Sequence, residues 1–280
     1  MATFPALDGT LLAYDRVGED GDPLICLPGG PLLPPEYLGD LGGLAAYRSL
    51  VLPHLRGTGK SAVPADPTSC RCDRLVDDVE ALRAHLGLGR VDLLGHSAGG
   101  SLAALYTLRY PDRVGRLVLA CSSPRVVGLP ISDDDRRQVI EPRRGEPWFP
   151  DAYAAFGRVW SGDPTDADWQ ALTPFTYGRW DAAARAHAAG MDAARNDAVA
   201  AQYYSEGALD PPATRAALAG LAVPVLLVAG EYDPSLPPHR AAEYVGMFGR
   251  AELAVLPGGG HYPWLDDAQW WVRTLTGFLD

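Results

Sequence analysis

The stretch that most constrains this 280-residue chain is Val91-Asp92-Leu93-Leu94-Gly95-His96-Ser97-Ala98-Gly99-Gly100. A short apolar run there meets Gly-x-Ser-x-Gly, and helical spacing follows from Ser97 to Tyr110. A serine on so sharp a strand-to-helix turn projects its hydroxyl over the edge of a sheet, and Gly95 and Gly99 leave room for strand and helix to approach. The helix then aims its first N–H groups at the place where an oxyanion would develop. As a bare pattern the motif recurs by chance. The strand before it and the helix behind it make it specific, and Ser97 is the candidate nucleophile.

The remaining sequence supplies the frame this turn needs. Runs rich in Val, Leu or Ile at Leu24 to Leu27, Ser49 to Leu52, Val91 to Leu94, Arg116 to Ala120, Val223 to Val228 and Glu252 to Leu256 predict strands buried on both faces. Gly9 to Val17 alternates apolar and polar residues behind an Asp8-Gly9 turn, which predicts an antiparallel hairpin. Helical spacing recurs at Leu75 to Leu86, Pro238 to Met247 and Asp267 to Leu279. This alternation predicts an α/β fold, a mostly parallel twisted sheet with helices on both faces. From Pro124 to about Arg215 the rhythm breaks, and Trp148, Trp160, Trp169 and Trp180 fall there in helical context. Residues 124–215 are expected to form a helical cap inserted into a core made of 1–123 and 216–280, over the sheet edge where such folds bind ligands. A separate non-catalytic domain is the blander alternative, but the strand pattern resumes at Val223.

A nucleophilic serine needs a base, and the base an orienting acid. His261 lies in a Gly258-Gly259-Gly260 loop between the last strand and the last helix, where a base must sit to reach Ser97. His54 and His96 lie near the same edge, but His96 is expected to point away from the nucleophile on the turn. His85, His187 and His239 are expected at the surface. Asp233 follows the Val223 strand and precedes Pro234, which favours it as the acid over its competitor Glu231. The order Ser97, Asp233, His261 is that of one serine-hydrolase fold and not of others. The oxyanion hole is expected from the N–H of Ala98 and from the Gly29-Gly30-Pro31 loop, with Gly30 ahead of Gly29 because Pro31 has no N–H. Gly29, Pro31, Trp148, Tyr204 and Tyr262 are the expected substrate contacts.

Composition excludes whole classes of partner. With 24 basic against 35 acidic residues, the net charge of −11 argues against nucleic acid. No run approaches the roughly 20 apolar residues of a membrane helix. The first five residues, Met1 to Pro5, carry no basic start or apolar stretch, so a cytoplasmic enzyme with a small-molecule substrate is expected. Cys26 and Cys121 sit in apolar runs; Cys70 and Cys72 are close, but no second pair stands at zinc-site spacing, and no metal or cofactor is expected.

These motifs resemble the α/β-hydrolase superfamily, within it the proline iminopeptidase-like branch, over nearly the whole chain. Gly29-Gly30-Pro31 is similar to that branch's His-Gly-Gly-Pro-Gly motif, and Arg56-Gly57-Thr58-Gly59-Lys60-Ser61 to its Arg-Gly-x-Gly-x-Ser loop. The chain departs from the branch at Pro28, at Leu32 and in the elbow, which reads Gly-His-Ser-Ala-Gly where the peptidases have Gly-Gly-Ser-Trp-Gly. Those peptidases hold a free amino group with cap carboxylates, for which Glu206 is the candidate here. The resemblance with these departures implies a serine hydrolase acting on a carboxylic ester, such as a small alkyl ester of a bulky aromatic acid. An aminopeptidase releasing N-terminal proline is the alternative, and a non-catalytic ligand-binding protein on the same fold the third. Relatives with an aspartate nucleophile, the haloalkane dehalogenases and epoxide hydrolases, are set aside by Ser97.

Overall fold

The computed structural model describes residues 2–18, 21–162, 164–192 and 196–280. Eight strands form one sheet: β1 (Ala2–Pro5), β2 (Leu11–Val17), β3 (Pro23–Leu27), β4 (Ser49–His54), β5 (Val91–His96), β6 (Val114–Ala120), β7 (Val225–Gly230) and β8 (Ala251–Leu256). Their order is β1-β2-β4-β3-β5-β6-β7-β8, antiparallel at β1–β2 and β2–β4 and parallel from β4 to β8. The α/β class and the mostly parallel sheet expected above are thus present, and β1 is the hairpin partner that Gly9 to Val17 called for. From β3 the chain crosses to β4 on one side, and from β5 to β6 on the other. The crevice between the C-terminal ends of β3 and β5 is therefore a switch point, where open α/β sheets take their ligands.

Among the described residues eleven α-helices accompany the strands: α1 (Leu75–His85), α2 (Ala98–Arg109), α3 (Asp133–Ile140), α4 (Phe149–Ser161), α5 (Asp166–Leu172), α6 (Ala182–Asp192), α7 (Asp197–Ala200), α8 (Pro211–Ala219), α9 (Pro238–Val245), α10 (Pro263–Asp266) and α11 (Ala268–Leu279). Successive strand residues bury on opposite faces, as a period of two requires. Ile25, Leu93, Leu117 and Leu227 pack with Val79 of α1, Leu102 of α2 and Tyr244 of α9. Leu24, Leu94, Val118 and Leu226 pack with Trp271 and Leu275 of α11. Burial on both faces explains why the parallel strands read as unbroken apolar runs.

Between β6 and β7 the described residues form helices and no strand. Phe149, Phe156 and Phe175 gather there in a small core of their own with Val139 and Ile140. Helix α8 runs across the boundary expected at residue 215, because its Leu218 enters the main core beside α2. No helix of the described residues is long and apolar enough to cross a membrane.

The Arg56 loop is tied down by charge. Its buried guanidinium donates to both oxygens of buried Asp78 on α1, at 2.6 and 2.7 Å, and also to Asp8 in the β1–β2 turn. Burial raises the Asp78 pKa, and the Arg56 bonds oppose that rise. A buried ion whose partner is removed costs far more than the intact pair contributes. Arg56→Leu is therefore expected to lower the unfolding free energy by about 3–5 kcal/mol in urea titrations at neutral pH. Arg56→Leu combined with Asp78→Leu should recover much of that loss.

Candidate active site

Ser97 occupies the turn between β5 and α2 with φ 52° and ψ −120°, a left-handed backbone that a residue bearing a Cβ adopts only under constraint. Three backbone bonds impose it: Ser97 N–H donates to Ala120 at 3.0 Å, and the Ser97 carbonyl accepts from Gly100 at 3.1 Å and Ser123 at 2.9 Å. The glycines around it are required by contact. A Cβ on residue 99 would lie 2.3 Å from the Leu27 carbonyl oxygen, and one on residue 95 would lie 2.6 Å from the Gly100 Cα.

Asp233 is fully buried after β7, and its Oδ2 lies 2.9 Å from His261 Nδ1. Its Oδ1 accepts from the Ser235 N–H at 2.8 Å. The carboxylate thus fixes the imidazole with Nδ1 protonated, which leaves Nε2 as the nitrogen able to take a proton. The His261 N–H donates to the Thr176 carbonyl at 2.7 Å, anchoring the base's loop. Glu231 is exposed and instead accepts from Gly258 N–H at 2.6 Å. Between the two carboxylates, only Asp233 reaches the histidine.

Ser97 and His261 line the same pocket of about 220 Å3 with Gly30, Tyr37, His96 and Tyr262. An adjoining cavity of about 1000 Å3 shares Gly30, Ser97 and Tyr262 with it and adds Pro31, Ala98 and Tyr204. Ala98, the first residue of α2, has no intrahelical carbonyl for its N–H to meet. In the β3 loop, the Gly29 N–H donates to Tyr37 Oη at 2.7 Å, which takes it out of competition and favours Gly30 as the second oxyanion donor.

Five expectations need correction, those of Gly29, Trp148, His187, Glu206 and His96; Gly29 lines neither cavity because its N–H is turned to Tyr37. Trp148 does not line the Ser97 cavity; it packs on Phe149, Phe175 and Arg143, while Trp160 and Trp169 line the cavity. Trp160 of α4 and the exposed Trp169 of α5 border the cavity, while Trp148, at the cap of α4, lies beside the small aromatic core. His187 is half-buried, bonded to Tyr177 Oη at 2.8 Å and to the Tyr37 carbonyl at 2.9 Å, with burial lowering its pKa. Glu206 is exposed and outside the cavity.

His96 does not leave the site. Its ring lies 4.8 Å from that of His261, its Nε2 is 2.9 Å from the His261 carbonyl, and its Nδ1 is 2.8 Å from Tyr37 Oη. Burial, aided by the His261 imidazole, holds its pKa well below the ordinary range, so it is neutral. Facing a carbonyl, Nε2 must carry the proton, and Nδ1 then accepts from the Tyr37 hydroxyl. A single line of donors runs from Gly29 through Tyr37 and His96 to the backbone of His261. Sequence reading missed Tyr37, because nothing local links it to a residue 59 positions away.

Cys121 lies at the end of β6 beside the acid and base; the Sγ of Cys121, an oxygen of Asp233 and a nitrogen of His261 lie within 4.8 Å of one another. Burial, with Asp233 next to it, raises the thiol pKa well above its usual value, which keeps it protonated and a poor metal ligand. Asp15, Glu36 and His54 form a second such group, in which His54 Nε2 and Lys60 Nζ both reach Asp15. Cys26, Cys70 and Cys72 are buried and free, Cys70 and Cys72 within the main core.

Comparison with known proteins gives the family of the fold. The family model described as alpha/beta hydrolase fold matches residues 22–268, and the chain belongs to that family. A proline iminopeptidase of Heyndrickxia coagulans is 34% identical over 140 residues, 49% of this chain and 48% of that one, so the match spans about half of the relative's length. The solved structure of a proline iminopeptidase from Mycobacterium smegmatis superposes with TM-score 0.77 at 23% identity, over 99% of this chain and 97% of the other. An esterase from Exiguobacterium antarcticum superposes with TM-score 0.74 at 20% identity, over 99% and 98%.

The donor line has a measurable consequence. Tyr37→Phe keeps the ring and removes the hydroxyl that serves both Gly29 and His96, leaving two polar groups unpaired. The rate at which a fluorophosphonate probe labels Ser97 should fall by about tenfold, with the circular dichroism spectrum unchanged.

Proposed function

We propose that the protein is a serine hydrolase that cleaves a small-molecule carboxylic ester through an acyl-enzyme. The observation that carries this reading is the buried Asp233–His261 bond of 2.9 Å at the pocket that also holds Ser97 on its strained turn. Ser97 Oγ attacks the ester carbonyl carbon as His261 Nε2 takes its proton. The oxyanion of the tetrahedral intermediate is met by the N–H groups of Ala98 and Gly30. As the intermediate collapses, the C–O bond to the alcohol breaks and His261 returns the proton to the leaving oxygen. Water then attacks the acyl-serine with His261 again as base, releasing the acid and restoring Ser97. No step calls for a metal or a cofactor.

The aminopeptidase reading draws on the iminopeptidase relatives. A free α-ammonium group calls for a carboxylate beside the scissile bond, yet none of the described residues lining the large cavity is Asp or Glu. That lack favours the ester reading. An aryl ester assayed beside a proline arylamide separates the two activities.

Ser97→Ala should abolish turnover of a p-nitrophenyl ester and labelling by a fluorophosphonate. Asp233→Asn should retain the fold but reduce kcat by about three to four orders of magnitude, because the histidine then presents the wrong tautomer. Undiminished turnover in Ser97→Ala would overturn the assignment.

A further inference from the structure

The chain carries 35 acidic residues against 24 basic ones, yet the charged side chains that line the cavity above Ser97 are two arginines, Arg125 and Arg136. Arg125 belongs to the loop just beyond β6, two residues after Ser123, whose N–H holds the Ser97 carbonyl. Its guanidinium lies over the Tyr204 ring, 5.4 Å from the centroid, and no carboxylate among the described residues forms an ion pair with it. Arg136, on α3, is tethered on one side only. One nitrogen donates to the Ile131 carbonyl at 2.7 Å and lies 3.4 Å from Asp133, while the plane rests 5.0 Å from the centre of the Trp160 ring. Burial lowers its pKa; the carboxylates of Asp133 and Asp135 oppose that fall, and the positive charge of Arg125 adds to it.

Arg136 already has the Asp133 carboxylate beside it, whereas Arg125 has no carboxylate partner among the described residues, so the cavity presents positive charge that an anion would meet first at Arg125. Their surroundings suit a flat or extended apolar body with one charged end, since Phe156, Trp160, Trp169 and Phe175 form the rest of that wall. We propose that Arg125 and Arg136 form an anion subsite, and that the ester taken by Ser97 carries a carboxylate away from its scissile bond. The inference names the substrate class of the ester hydrolase proposed above and rests on that reading. Arginine suits the task because its planar fork matches the two oxygens of a carboxylate.

The test compares p-nitrophenyl hydrogen adipate with neutral p-nitrophenyl hexanoate on the full chain. The adipate ester should have the higher kcat/KM by about tenfold, and added salt should erode that preference. In Arg125→Ala the ratio of the two kcat/KM values should fall by about tenfold, with Arg136→Gln acting in the same direction. A ratio that does not change in Arg125→Ala overturns the inference while leaving the hydrolase assignment intact.

A binding measurement works even if neither ester is cleaved. Free adipate titrated into Ser97→Ala should quench the fluorescence of Trp160 and Trp169, with affinity lost when Arg125→Ala is added. Equal affinity with and without Arg125 would overturn the subsite independently of turnover. Binding of inorganic phosphate in place of adipate would likewise overturn the carboxylate assignment.

Discussion

The close approach of β5 to α2 is the constraint on which the rest depends. Gly95 meets the backbone of the helix and Gly99 meets the carbonyls of the β3 loop, at distances where no Cβ fits. Closing that gap forces the residue between them into a left-handed backbone, and that residue is Ser97. Strain of this kind persists only when the surroundings over-determine it. Here β6 supplies the clamp, through Ala120 and Ser123, on both sides of the serine's peptide groups. The same squeeze brings Gly29 against the Ser97 Cβ, so the candidate nucleophile and the candidate oxyanion loop are placed by one packing event.

A second layer of order comes from buried polar groups that satisfy one another. Asp233 is bound by Ser235 and His261; His96 is bound by Tyr37 and the His261 carbonyl; Tyr37 receives Gly29. In so dry a setting a hydrogen bond is stronger and an unmade one more costly than in water. The Gly29-Gly30 loop and the His261 loop, far apart in sequence, are thereby linked through the side chains of Tyr37 and His96.

Much of this was legible because the relevant signals are local. The Gly-x-Ser-x-Gly turn, each both-faces-apolar strand and each loop that carries Asp233 or His261 reside in a few consecutive residues. What escaped depends on which side chains meet across the fold. The bond from Gly29 to Tyr37, and from Tyr37 to His96, joins residues that no local pattern connects. Tryptophan content marked the helical segment correctly but could not say which rings face the cavity. That is a matter of helical phase and packing, and it put Trp160 and Trp169 where Trp148 was expected. His187 read as a surface residue because the partner that buries it, Tyr37, lies 150 positions away.

The division between the two layers of the molecule also explains why chemistry and specificity differ in legibility. The sheet edge must hold reacting groups to within a fraction of an ångström, so it is built from glycines, a strained turn and paired polar groups that leave plain sequence traces. The helices between β6 and β7 have only to offer a wall of the right shape and charge, which many sequences can do. Relatives described as an esterase and as a proline iminopeptidase share this fold at 20% and 23% identity, as expected when the scaffold is conserved in geometry and the wall is free to vary. In such a wall the sign of the charge is the coarsest discriminator available. Among the described residues lining the cavity there are two arginines and no carboxylate, a charge that disfavours an ammonium and favours a carboxylate. A chain can therefore keep the iminopeptidase frame while its cavity turns away the free amine that such a peptidase must hold.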